Sequence, residues 1–252
     1  SQEWIVEKVS PGNYRFVDDT FRQAALSLLP KGEKKKKVLH FRIAAELSKL
    51  SMLEGGASDE KERLKLLAMD QFNISSDFIK IEKERTKLAK LCLDLAEFAM
   101  LKAAYLPATA HLETGVAYLN KESCWLKATY DLSLKLYLSL ARMKLCCGEL
   151  EEARVYADEV LLHCASRRDK VGAFQVILLI FLRSEQLDAA YTLNLVVLKD
   201  LGEALPQEGA IKLIPLEFEM TTTLLRTKSD ADLLVLPKMT HKKALSKMAF
   251  LA

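Results

Sequence analysis

Apolar residues recur along most of this chain at helical spacing. Leu88, Leu91, Cys92, Leu95, Ala96 and Ala99 follow an i, i+3, i+4, i+7 pattern and therefore share one side of a helix. Leu150, Ala153, Ala157, Val160, Leu161 and Cys164 repeat the stripe, and Leu187, Ala190, Tyr191, Asn194, Val197, Leu198 and Leu201 repeat it again. From about residue 60 onward every segment predicts helix. Earlier, a helix is predicted over about 38–53 with Leu39, Ile43, Leu47 and Leu50 on its core face, ended by Gly55-Gly56-Ala57-Ser58.

Residues 1–30 read differently. Glu3 to Val9, Trp4 among them, is strand-like, Ser10-Pro11-Gly12-Asn13 is turn chemistry, and Tyr14 to Val17 alternates as a second strand. Asp18 and Asp19 are N-cap candidates for a short helix, Phe21 to Leu29, closed by Pro30-Lys31-Gly32. A hairpin feeding a helix has the shape of the wing end of a winged-helix fold.

The stripes can be superposed. Tyr105, Leu150 and Leu187 are each followed three residues later by Ala108, Ala153 and Ala190, and eight residues beyond each alanine stand Val116, Leu161 and Leu198. The spacings are 150 − 105 = 45 and 187 − 150 = 37 residues, within the range of helical-hairpin repeats. Helices at about 85–103, 124–147 and 168–184 supply the partners, and the alanines let them approach closely. Cys147-Gly148-Glu149 and Ser184-Glu185-Gln186 break the hairpins in the middle, and such short breaks make antiparallel neighbours. The expected fold is mainly α: an antiparallel, tetratricopeptide-like superhelical array over 54–252, preceded by a winged-helix remnant and connecting helix over 1–53. Tyr105, Ala108, Leu150, Ala153, Leu187 and Ala190 are its repeat-packing residues.

Composition agrees with that reading. Glycine (9) and proline (6) are scarce in 252 residues, which disfavours a turn-rich sandwich or barrel. A net charge of +3 implies no polyanionic partner. The longest apolar run, Val176 to Leu182, is far shorter than the ~20 residues that cross a bilayer, so no membrane role is expected. Five cysteines, an odd number with no CxxC pair and no leader before them, suit a reduced, cytoplasmic compartment. Both ends fall inside elements, so the chain reads as a piece of a larger protein.

Candidate chemistry is sparse. Neither GxxxxGK[ST] nor GxGxxG occurs, and His40, His111, His163 and His241 lie far apart without an HExxH companion. No catalytic, cofactor-binding or metal-ligating residue is therefore expected in this chain. Cys146-Cys147 point about 100° apart on a helix and suit packing better than shared ligation. Lys34 to Lys37 is a charge run without interleaved aromatics, which suits a solvated helix start better than nucleic acid.

Tyr14 to Pro30, followed by His40-Phe41-Arg42-Ile43-Ala44-Ala45-Glu46-Leu47, resembles one family: the STAND/AAA-type signal-transduction ATPases within multidomain serine/threonine and histidine kinases, where an ATPase module, a winged helix and helical repeats follow one another. Ala103 to Ala108, Cys147 to Ala153 and Leu233 to Thr240 are similar to further segments of that family, in the same order along the chain. The resemblance implies a non-catalytic regulatory arm that couples the ATPase to an output domain through protein contacts, with ATP and magnesium held only upstream. A free-standing adaptor that binds a peptide or protein is the alternative. Two positions depart from the family: Asp18 and Gln71 stand where it carries histidines. In related ATPases a winged-helix histidine can face the nucleotide phosphates, and an acidic group there would repel them.

Overall fold

The computed structural model describes residues 6–10, 13–29, 32–52, 58–202, 210–241, 244, 245 and 248. Trp4, the Pro11-Gly12 turn, Pro30-Lys31 and the Gly55-Gly56-Ala57 break lie outside the described residues. The chain divides into two compact units, Ser1–Leu132 and Ser133–Ala252.

The first unit opens with β1 (Val6–Ser10) antiparallel to β2 (Asn13–Phe16), in a register that pairs Val6 with Phe16 and Lys8 with Tyr14. Asp18 then caps α1 (Asp19–Ser27), its carboxylate accepting the Thr20 N–H at 2.6 Å. No residue of α1 is buried. Helices α2 (Glu33–Ser51) and α3 (Ser58–Ile74) form a close pair. Phe41 meets Phe72 edge-on at 5.8 Å, and His40 Nδ1 lies 2.6 Å from Gln71 Oε1. Residues 53 and 54, where the boundary between the two regions is expected, lie outside the described residues.

The helix pair also turns α2 differently from its apolar pattern. Ala44 and Ser51 are buried, whereas Ile43 is 39% and Leu50 49% exposed, with Leu39 and Leu47 only half-buried. The small Ala44 side chain permits the close approach of α3, and the Phe41–Phe72 contact fixes the rotation. The leucine–isoleucine stripe expected to face the core is left largely at the surface.

A 3-10 turn at Ser76–Phe78 leads to α4 (Glu82–Leu101) and α5 (Tyr105–Tyr118), the most extensively packed pair in the unit. Met69, Cys92, Leu95 and Leu112 are almost fully buried, with Cys92 Sγ 3.5 Å from Met69 Sδ.

The next helix, α6 (Tyr130–Cys146), starts six residues later than its apolar pattern suggests. Cys124 N–H is bonded back to the Asn120 carbonyl at 2.8 Å, and the Thr129 hydroxyl donates to the Cys124 carbonyl at 2.8 Å. Those bonds hold 120–129 in turns and keep Cys124 buried outside the helix. The second unit continues through α7 (Leu150–His163), α8 (Arg167–Arg183), α9 (Leu187–Asp200), α10 (Ala210–Arg226) and α11 (Asp230–Leu234). Tyr137 of α6 meets Tyr156 of α7 edge-on at 6.1 Å. A Cβ on Gly172 of α8 would stand 2.6 Å from Leu138 Cδ2, so a glycine marks the crossing of α6 and α8. Leu136, Leu140, Val160, Val176 and Val197 fill this core.

Three helical hairpins, α4–α5, α6–α7 and α8–α9, share the bounds of their turns and second helices. Their first helices end at Leu101, Cys146 and Arg183, each four residues before the second helix begins at Tyr105, Leu150 or Leu187. Each second helix has 14 residues.

The turns also agree bond for bond. The N–H groups of Ala104, Glu149 and Gln186 donate to the carbonyls of Ala99, Lys144 and Phe181, all at 2.9 Å. The preceding residues Ala103, Gly148 and Glu185 have φ of 55°, 84° and 58°, and donate to Met100, Leu145 and Leu182. This is the double closure of a helix end by a left-handed residue, which satisfies carbonyls that the helix itself leaves open. The same Ala104, Glu149 and Gln186 then start the second helix, their carbonyls accepting from Ala108, Ala153 and Ala190.

Glycine occupies the left-handed position only in the middle hairpin. A Cβ at Gly148 would meet nothing within 4 Å, so replacement there carries conformational strain alone. Gly148→Ala is expected to lower stability, and Ala103→Gly to raise it, by about 1 kcal/mol each. Denaturant melts of the two variants beside the parent chain measure both.

Candidate functional site

The six repeat-packing residues separate into two groups. Ala108, Ala153 and Ala190 are 0, 0 and 4% exposed, and one turn later Leu112 and Ala157 are fully buried. The alanines are the buried residues of the first turn of each second helix. Tyr105 and Leu187 are 45% and 65% exposed, and Leu150 is half-buried. These three stand first in their helices, and the preceding helix has ended four residues before them.

A second repeated device went unnoticed in the apolar pattern because it is polar. Arg85 lies at the start of α4 and reaches the far end of α5, donating to the Tyr118 carbonyl at 2.8 Å and the Ala117 carbonyl at 3.0 Å. Arg167 opens α8 and donates to the Asp200 carbonyl at the end of α9, at 3.4 Å. Each arginine lies 20 residues before the second helix of its hairpin (105 − 85 and 187 − 167), and the Tyr118 and Asp200 carbonyls each lie 13 residues after that start. A cation at a helix C-terminus offsets both the dipole and the open carbonyls. Tyr130 takes the equivalent place in the middle hairpin. That hairpin is fastened at its turn instead: the buried Lys144 ammonium lies 2.5 Å from Glu149 and 2.6 Å from Glu152.

An open groove of about 490 Å³ runs along α2, α3 and α4 of the first unit. Phe41, Ala45, Met52, Phe72, Leu88 and Leu91 give it an apolar lining, and Lys87, Lys90, Glu84 and Asp94 of α4 edge it with both signs of charge. Such a surface takes apolar side chains of a peptide or helix.

Cys92 and Tyr118 are held in the core of the first unit. Burial pushes the Cys92 thiol up to about 12 and so keeps it an unreactive thiol. Burial also pushes the Tyr118 phenol up to about 12, and its hydroxyl donates to Asn73 Oδ1 at 3.1 Å. His163 lies 3.3 Å from Glu159 on the next turn of the same helix. Among the described residues no group of three or more His, Cys, Asp or Glu side chains is arranged to hold a metal ion. No helix among them is long and apolar enough to cross a membrane. The two departures noted in the sequence have local partners: Asp18 caps α1, and Gln71 pairs with His40. No protein-family model, curated protein or solved structure matches the chain.

Enlarging the close-packed alanine should separate the two groups of repeat residues. Ala153→Leu is expected to destabilise by about 1–3 kcal/mol through overpacking, and Leu187→Ala, at an exposed site, by no more than about 0.5 kcal/mol. Thermal melts of both variants give the comparison.

His111, half-buried on α5, carries a pH dependence. Burial lowers its pKa from the ordinary 6.5, outweighing the opposing pull of Asp70. The neutral form is favoured on folding, so its contribution is complete above the unfolded value. It is lost as pH falls from 6.5 through the lower folded value. Stability measured from pH 7.5 to 5 should therefore decline, and His111→Gln should flatten that decline.

Proposed function

We propose that this chain is the non-catalytic, tetratricopeptide-like arm of a larger STAND/AAA-type signalling ATPase, cytoplasmic and linked to a kinase, in which it couples the ATPase module to an output domain through protein contacts. The observation that carries the reading is the hairpin unit itself. Three copies share second-helix bounds, turn bonds and a buried alanine, and units of this kind stack in series and leave extended faces open to proteins. The apolar groove with a two-signed charged edge suits a protein surface better than a small polar substrate. The ordered resemblance of Tyr14–Pro30, His40–Leu47, Ala103–Ala108, Cys147–Ala153 and Leu233–Thr240 supplies the family context.

Cross-linking of the full-length protein, with ATP or with ADP, tests the coupling. Lys87 and Lys90, on the groove edge, are expected to cross-link to the ATPase module or the output domain in a pattern that changes with the nucleotide. A full-length protein without a phosphate-binding loop ahead of Ser1 would overturn the ATPase linkage and leave the adaptor reading.

A further inference from the structure

The N-terminal half of the exposed stripe of α2 is flanked by cations, and the acid further along that side, Glu46, is paired with Lys49 at 2.7 Å. Val38 and Leu39 lie beside Lys34, Lys35 and Arg42, which together line a shallow groove on one side of this single helix. Leu39, Ile43, Leu47 and Leu50 continue the apolar ridge at helical spacing, with Ile43 and Leu50 well exposed. Of the four lysines at 34–37, Lys36 has Glu33 at 3.6 Å and Lys37 has Asp77. Lys34, Lys35 and Arg42 form no ion pair among the described residues, and no acid lines the groove they share.

Both features run against the local interest of the fold. Cations in the first turns of a helix oppose its dipole, and a leucine–isoleucine ridge in water forgoes its burial. Local choices that conflict with stability concentrate where a surface has a task. The ridge is complementary in spacing to another helix, and the uncompensated edge selects the sign of the partner's charge.

We propose that this face of α2 docks an amphipathic helix of a partner protein, about three turns long, whose apolar side covers Leu39, Ile43 and Leu50 and whose acidic edge meets Lys34, Lys35 and Arg42. The length follows from the stripe: 11 residues from Leu39 to Leu50 span ~17 Å at the helical rise. Nucleic acid would engage the cations and leave the ridge bare, and no aromatic residue interleaves with the lysines for base stacking. The assignment rests on the reading of the chain as a protein-binding scaffold and specifies the face and the chemistry.

The test uses the 252-residue chain and a labelled helical peptide of about 18 residues, long enough to remain partly helical in water, with leucines on one side and glutamates along one edge. Comparators are the same peptide with lysine for glutamate, poly-glutamate, a DNA duplex and phosphatidylserine vesicles. The acidic peptide is expected to bind saturably and to shift amide resonances of 34–50. Charge reversal (Lys34→Glu, Lys35→Glu, Arg42→Glu) and ridge disruption (Ile43→Asp, Leu50→Asp) should each weaken it at least tenfold with unchanged circular dichroism. If charge reversal disturbs the fold, the triple glutamine variant gives the same comparison.

No peptide binding, binding insensitive to either set of variants, or tighter binding of poly-glutamate, DNA or vesicles would overturn the proposal. Nucleotide-dependent cross-links in the full-length protein, together with failure here, would defeat this face and leave the coupling reading standing.

Discussion

Everything from residue 82 to residue 200 depends on how a helix is stopped and the next one started within three residues. A single left-handed residue does both. It turns the backbone so that two N–H groups return to the open carbonyls of the first helix, and it delivers the following residue in position to begin the second. The bonds are local, so each hairpin is closed by its own sequence and owes nothing to its neighbour for its turn. The buried alanines then decide how near the two helices lie, and the arginines of the outer hairpins fasten the far ends.

The repeat was legible because its determinants are periodic and of few kinds. The apolar stripes located the helices, and superposing Tyr105, Leu150 and Leu187 found the starts of all three second helices. The two breaks centred on Gly148 and Glu185 fell on the turn residues themselves. The start of α6 was not legible, since it is set by bonds from Asn120 and Thr129 in a segment whose apolar spacing still looks helical. Arg85 and Arg167 were within reach of the same superposition, had it been extended to the first helices and to polar residues.

Helix α2 shows the reverse case. Its stripe has correct helical spacing, and spacing alone cannot say which side of a helix a neighbour will choose. Ala44 and the Phe41–Phe72 contact chose the other side. A face that looks like core in the sequence but lies partly in water is informative for that reason: its residues are apolar although the fold does not fully bury them. The candidate groove along α2, α3 and α4 was equally invisible in the sequence, because its lining comes from three helices whose relative rotation no local pattern encodes.

The linkers between hairpins differ, with 119–129 between the first and second and 164–166 between the second and third. Neither contains the turn residues or the close-packed alanine of a hairpin. A recombination event with breakpoints in these two stretches would therefore carry the middle hairpin with its turn, close-packed alanine and Lys144 ion pairs together. The eight residues by which one period exceeds the other (45 − 37) lie in the first of these linkers, so the difference in period leaves the turn bonds of the hairpins alike.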